Sequence, residues 1–471
     1  AGSPYAIKDY YDVDPDLATH VPQRMKELES LIRRTHKAGL GFIMDFVPNH
    51  VARQYHSDAA PKGTVDLGEG DDTDMAFSAQ NNFYYIPGEP LHLDFITESD
   101  TSYCEMPARV TGNDCFSAWP CRNDWYETVK LNYGVDYLGG RGQHFTPRPS
   151  TWDRMLDILL FWAGKGIDAF RCDMAEMVPV EFWQWAIGKV KEAHPDILFI
   201  AEVYNPAQYR DYVHRGGFDY LYDKVGLYDA LRAVTRHEAS AQCLTRCWQQ
   251  VDDIRTHMLH FLENHDEQRL ASDFFAGDAR RGRAPLLVSA LMDYCPMMIY
   301  FGQELGERGM DAEGYSGRDG RTTIYDYWTV DTVSRWRNGG KFNDKKLTGD
   351  EKRLREFYAR VLALRESMPV LRSGHFYDLM YVNRHLHRQY VFVRQLEKQV
   401  LLVIANFDDQ EANLSIHLPE EFFRFIGQKG QTEVRPLDLL SEEETQVDFT
   451  PDRPLCATVL PWNGLVLSID L

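Results

Sequence analysis

Apolar, strand-like runs alternate with helical patterns along this chain, and polar side chains recur where those runs end. Leu28 to Lys37 is amphipathic, and Gly41 to Val47 then reads as a buried strand. The helical stretch Thr151 to Lys165 precedes a strand from Gly166 to Arg171, and the helical stretch Glu181 to Ala193 precedes Ile197 to Ala201. Phe218 to Leu221, a helix near Leu227 to Ala233, Met258 to Leu262 and Met297 to Phe301 continue the series. Such alternation argues for a parallel sheet wrapped by helices. Asp45 and Asn49-His50 follow the first strand, Arg171 and Asp173 the second, Glu202 the third and Asn264-His265-Asp266 the fifth. In a (βα) barrel the C-terminal strand ends carry the active site, so these side chains would converge on one face. A single Asp after a strand is readily a helix N-cap. Four such clusters in series are not explained that way.

Two segments break the pattern. Residues 51 to 147 are rich in Gly, Asp, Asn, Pro and aromatics, with weak periodicity. So long a stretch between two strands reads as an inserted domain rather than a loop. After Met368-Pro369, short alternating runs such as Gln389 to Val393 and Val400 to Ile404 predict an antiparallel β domain. The expected division is barrel over 1–50 and 148–370, inserted domain over 51–147 and a C-terminal β-sandwich over 371–471.

Fifty-one Lys and Arg against 71 Asp and Glu leave a net charge of −20 over 471 residues. No dense basic cluster is present, which speaks against nucleic acid as a partner. Arg280-Arg281-Gly282-Arg283 comes nearest and reads as a solvated loop. No apolar run reaches the ~18 residues of a membrane span. Cys104, Cys115 and Cys121 share one loop-rich segment in which a disulfide is plausible, whereas Cys172 and Cys295 read as buried thiols. Cys243 and Cys247 would share a helix face. The compartment is left open, with an extracytoplasmic setting slightly favoured.

The strand-end residues suit glycoside chemistry. Cleavage with retention needs two carboxyl groups about 5–5.5 Å apart, one nucleophilic and one a proton donor, in different electrostatic environments. Asp173 lies two residues after Arg171, so on a strand both side chains share a side and the guanidinium can hold the Asp ionised. Glu202 ends an apolar strand, where burial and proximity to Asp173 would raise its pKa as a general acid requires. Asp266 has Asn264 and His265 beside it as hydrogen-bond donors, and there it can grip sugar hydroxyls.

Asp45-Phe46-Val47-Pro48-Asn49-His50, Gly166 to Asp173, Ala201-Glu202-Val203 and Phe261 to Asp266 together resemble the four strand-end motifs of the α-amylase family of retaining glycoside hydrolases, in order. Val129-Lys130-Leu131-Asn132 resembles a fifth family motif, and Ser3-Pro4-Tyr5 resembles the stretch ahead of the third barrel strand. The resemblance implies a (β/α)8 TIM-type barrel with an inserted domain after the third strand and a C-terminal antiparallel β domain. It counts the first two strand–helix units as absent before Ala1, so that the chain would be the larger part of an enzyme. It implies Asp173 as nucleophile, Glu202 as acid/base and Asp266 as transition-state stabiliser. It further implies Arg171 orienting the nucleophile, His50 and His265 binding sugar hydroxyls, Tyr5 stacking under the ring, and Asn264 as a substrate-side residue. No cofactor is required by it, and it leaves room for calcium at Asn49. The acidic run Asp71-Asp72-Thr73-Asp74 reads as a solvated loop that could bind a hard cation.

The chain departs from the family after its nucleophile. Many members have Lys and His three and four residues on, where Glu176 and Met177 stand here. That points away from a typical starch-liquefying subsite, toward shorter oligosaccharides or another acceptor. The tract Gly309 to Tyr327 reads equally as a donor-side loop, with Arg321 a candidate contact, or as an exposed structural loop. The implied activity is hydrolysis of α-glucosidic bonds in α-glucans or maltooligosaccharides. A transglycosylase would use the same three carboxylates. A non-catalytic sugar-binding or transporter-associated relative would have lost them.

Overall fold

The computed structural model describes residues 3–96, 103–312 and 318–470. The chain divides into two compact units, Ala1–Leu221 and Tyr222–Leu471.

The first unit is built from α1 (Arg24–Lys37), β1 (Ile43–Phe46), α2 (Ser150–Ala163), β2 (Ala169–Cys172), α3 (Val180–Ala193), β3 (Leu198–Ala201) and β4 (Tyr220–Tyr222). The strands are parallel, β1 to β2, β2 to β3 and β3 to β4, and their register sets Asp45 level with Arg171 and Arg171 level with Ile200. All of Ala169–Cys172 is buried, as expected of a strand covered on both faces. α2 buries Trp152, Met155, Ile158, Leu159 and Trp162, and α3 buries Phe182, Trp183, Ala186, Ile187 and Val190. Both sets follow the three-and-four spacing of an amphipathic helix. The helix and strand limits agree with the periodicity to within a few residues.

Between β1 and α2 the chain forms short antiparallel ladders: His50–Ala52 with Thr128–Lys130, Tyr85–Ile86 with Ala108–Arg109, and Val135–Asp136 with Gly142–Gln143. Buried polar groups order this segment. The Glu105 carboxylate accepts from Arg53 at 2.7 Å and from Arg109 at 2.8 Å. Asp71 turns inward rather than facing solvent with the rest of its acidic run. It accepts from the main chain of Asn82 and Phe83 and from the Tyr85 hydroxyl. The disulfide expected among Cys104, Cys115 and Cys121 is not formed, and all three are free thiols. The Asp124 carboxylate instead accepts from both Cys115 and Cys121. Cys172 and Cys295 are buried as expected.

The second unit carries α4 (Asp229–Thr235), β5 (Met258–Phe261), α5 (Arg283–Leu291), β6 (Met297–Met298) and α6 (Gly349–Ser367), with β5 and β6 parallel. α6 begins at a reciprocal cap, Thr348 accepting from the Glu351 N–H while Glu351 accepts from the Thr348 N–H. An antiparallel sheet follows, with β7 (His375–Asp378), β8 (Gln389–Leu396), β9 (Gln399–Asn406) and β10 (Gly464–Asp470) as consecutive neighbours. The buried Arg394 of β8 ties that sheet to the helices before it. Its guanidinium donates to the carbonyls of Met292 at 2.6 Å, Leu371 at 3.1 Å and Gly374 at 2.7 Å. Among the described residues no helix is long and apolar enough to cross a membrane.

Removing one donor that serves several buried carbonyls leaves them all unpaired. Arg394→Ala should therefore cost about 2–4 kcal/mol, read as a lower urea midpoint. Coincident midpoints for variant and parent would show that these bonds carry no net weight.

Candidate active site

Arg171 is the centre of the cluster in the first unit. It lies on β2 with a side chain only 8 % exposed, and its guanidinium meets three carboxylates: Asp45 at 3.0 Å, Asp173 at 2.9 Å and Glu202 at 2.9 Å. The parallel register supplies the first contact, the two-residue strand spacing the second and the end of the neighbouring strand β3 the third. Tyr5 closes the arrangement, its hydroxyl donating to Asp45 at 2.7 Å while the guanidinium lies 5.8 Å from its ring centre. Burial of Tyr5, reinforced by Asp45, drives its phenol far above its ordinary pKa, so it stays neutral.

Glu202 is buried and held at both oxygens. One accepts from the Met174 N–H at 2.9 Å, the other from the Tyr204 hydroxyl at 2.6 Å. Glu176 anchors the turn beyond it, accepting from the N–H groups of Tyr204 at 3.1 Å and Asn205 at 2.9 Å. The departure at Glu176 thus places a carboxylate that fixes the main chain after Glu202.

Arg171, expected to hold Asp173 ionised, does favour the anion, but it is not the largest influence on that carboxyl. Burial pushes the Asp173 carboxyl well above the usual carboxylate range. Arg171 pulls the other way, while Glu202 and Asp45 add to the push. One cation shared among three acids does not offset their desolvation and mutual repulsion.

His50 is buried in the inserted segment's ladder opposite Lys130. Its pKa is lowered to about 4, first by burial and then by the Lys130 charge, against a hydrogen bond with the Tyr5 backbone. Gly112 lies so close that a Cβ there would sit 2.9 Å from the His50 Cβ. The Trp125 ring leans on His50 with centroids 5.4 Å apart and is itself 39 % exposed. Its backbone is left-handed (φ 43°), and its carbonyl is pinned by the N–H and hydroxyl of Thr128 at 2.9 and 2.8 Å. The indole thus sits in an uncommon backbone conformation beside a candidate site residue. Sequence reasoning passed over Trp125 and Tyr204. Their only signals are an aromatic four residues ahead of Val129-Lys130-Leu131-Asn132 and one two residues beyond Glu202.

Asn264, His265 and Asp266 stand together in the second unit. His265 pairs with Asp266 at 3.2 Å, and the Asp266 side chain is 53 % exposed. Asn264 does not donate to Asp266 as expected. It is buried, and its amide oxygen accepts from the N–H groups of Asp266 and Glu267, both at 2.9 Å, which shapes the turn. Beneath it, Glu263 accepts from Arg269, and burial pushes its carboxyl up to about 7. Arg321 reaches the Asp266 carbonyl at 3.3 Å. Residues 313–317 of its tract lie outside the described residues.

At Asn49 the residues present do not fit a divalent cation, because its amide oxygen accepts from the Lys130 ammonium at 2.9 Å. Among the described residues no group of three His, Cys, Asp or Glu side chains is arranged to hold a metal.

The family profile described as Alpha amylase, catalytic domain, matches residues 2–374. The chain belongs to the α-amylase family. It is 22 % identical over 471 residues to Neopullulanase 2 of Thermoactinomyces vulgaris, a match over 98 % of this chain and 65 % of that protein. Over 97 residues it is 33 % identical to an α-1,4-glucan:maltose-1-phosphate maltosyltransferase of Cereibacter sphaeroides, covering 19 % of this chain and 16 % of that protein. The chain therefore spans less than two thirds of the length of these curated relatives. A solved α-amylase of Geobacillus thermoleovorans, complexed with acarbose, superposes with a TM-score of 0.62 at 18 % identity, over 99 % of this chain and 84 % of that one. The fold shared by family members of this kind is a TIM-type barrel followed by an antiparallel β domain.

The raised pKa of Asp173 gives a stability prediction. In the unfolded chain this carboxyl loses its proton near the ordinary range of about 4, whereas the folded chain keeps it to higher pH. Its contribution to stability is therefore present at low pH and lost as pH rises through the folded value. Asp173→Asn lacks that loss, so it should melt above the parent at neutral pH, with an advantage that shrinks toward acid. Thermal melts across that range check this, and an advantage that grew toward acid would contradict it.

Proposed function

We propose that this chain is a retaining glycoside hydrolase that cleaves α-glucosidic bonds of α-glucans or maltooligosaccharides through a covalent glycosyl-enzyme intermediate. The observation that carries the reading is the single Arg171 guanidinium gathering Asp173 and Glu202 at adjacent strand ends. Asp173 acts as nucleophile. Glu202 first protonates the leaving oxygen and then takes a proton from the attacking water. Asp266, with His265 against it, is the third carboxylate and favours the oxocarbenium-like transition state. Tyr5 offers its ring and His50 its neutral imidazole to the sugar at the cleavage point. We assign the barrel to 1–50 and 148–370, the inserted domain to 51–147 and a β-sandwich to 371–471. No cofactor enters the reaction, and its partner is the sugar substrate rather than nucleic acid.

Transfer to a sugar acceptor is the second reading, favoured by the matched maltosyltransferase segment and by Glu176. That carboxylate is bound to main-chain N–H groups, so it does not replace the sugar-binding Lys and His of many family members. A time course on maltotriose separates the two, since early products longer than the substrate belong to transfer.

Glu202→Gln should lower turnover of maltooligosaccharides by about 10²–10⁴-fold while leaving melting intact. Fresh product should be the α anomer by NMR. A β product, or near-normal activity of the variant, would refute the assignment.

Trp125 supplies an apolar wall next to His50 in this reading. Trp125→Ala should raise KM about tenfold with kcat changed much less, the pattern of a lost binding contact. An unchanged KM would remove Trp125 from the substrate's path.

A further inference from the structure

The inserted segment is fastened to the end of β1 by a buried positive charge. Lys130 is only 2 % exposed. Its ammonium lies 2.9 Å from the Asn49 amide oxygen and 2.6 Å from an Asp114 carboxylate oxygen, with the Tyr137 ring centre 5.1 Å away. An ammonium has three donors and no acceptor; here Asn49 accepts a hydrogen bond while Asp114 supplies an ion pair and Tyr137 an aromatic face. Burying such a charge is expensive unless it is paired and hydrogen-bonded. Here the partners come from three separate stretches of chain.

Two oxygens converge on this charge. Asn49 is buried, and its amide nitrogen donates to the Gly112 carbonyl at 2.7 Å and approaches the His50 ring nitrogen at 3.2 Å, which leaves its oxygen aimed at Lys130. Asp114 holds a left-handed backbone (φ 67°) to present its carboxylate. A hard divalent ion would need several such oxygens at about 2.3–2.6 Å, and it would stand where the ammonium stands.

We propose that Lys130 is the resident cation of this chain. Its ammonium fills an oxygen cradle made by Asn49 and Asp114 and does the cross-linking work of a bound metal ion. Truncating it opens a site for a small free cation of the calcium or methylammonium class. The proposal does not depend on the glycosidic reading.

Thermal melting of the full chain tests it without an activity assay. Parent protein should melt at the same temperature in EDTA and in millimolar calcium chloride. Lys130→Ala should melt several degrees lower and recover part of that loss, saturably, with calcium or methylammonium chloride. Lys130→Met, which fills the space without charge, should melt lower and not recover. If Lys130→Ala fails to fold, Asp114→Asn and its combination with Lys130→Met carry the test. Each should lower melting, and the pair should cost little more than Lys130→Met alone, because both remove one interaction. Chelator-sensitive melting of the parent restored by calcium, Lys130→Met melting like the parent, a truncated site that takes no cation, or additive losses would each overturn the proposal.

Discussion

One guanidinium answering three carboxylates is the constraint from which the first unit takes its character. Asp45 ends β1, Asp173 follows β2 and Glu202 follows β3, so Arg171 cross-links three consecutive strand ends. The contacts with Asp173 and Glu202 are buried, whereas the Asp45 side chain is 40 % exposed. The set is still short of positive charge. Burial and repulsion consequently push Asp173 upward despite the Arg beside it. A protein selected for stability alone would not keep this arrangement. Such a cost in stability is the usual companion of a reactive site, the role proposed for it above.

The barrel-like part of the fold was legible because its signal is local. A strand buried on both faces must be apolar along its length, as Ala169–Cys172 is, and a helix covering it must be apolar at the three-and-four spacing, as α3 is. Residues 51–147 lacked that signal for an equally physical reason. Their order comes from polar groups paired over long sequence distances, such as Arg53 with Glu105 and Asp71 with Asn82 and Tyr85. No periodicity announces such partners. The same holds for the thiols of Cys115 and Cys121, which loop composition suggested as a disulfide and which turn to Asp124 instead.

Within the candidate site, legibility followed covalent spacing. Arg171 and Asp173 are two residues apart on one strand, so their meeting was fixed by strand geometry. The directions of hydrogen bonds were not. Asn264 was read as a donor to its neighbour's carboxylate, yet a buried Asn at a tight turn does more by accepting the two N–H groups the turn leaves unpaired. Glu176 was read as a missing Lys, and it proves to be an acceptor for two further N–H groups. In both cases unsatisfied backbone decided the role, which residue identity alone does not reveal.

The surroundings of Glu202 bear on how one pair of acids serves a two-step reaction. Its oxygens accept from the Tyr204 hydroxyl and the Met174 N–H, and the Arg171 guanidinium lies 2.9 Å away. Asp173, by contrast, is held above its ordinary range. In the absence of substrate, burial and the neighbouring acids favour the protonated form of Asp173. The proposed reaction needs an ionised nucleophile. A neutral sugar brings no charge, so it cannot shift that balance by electrostatic pairing. What it can do is offer a hydroxyl that donates a hydrogen bond to Asp173, which would favour the anion there.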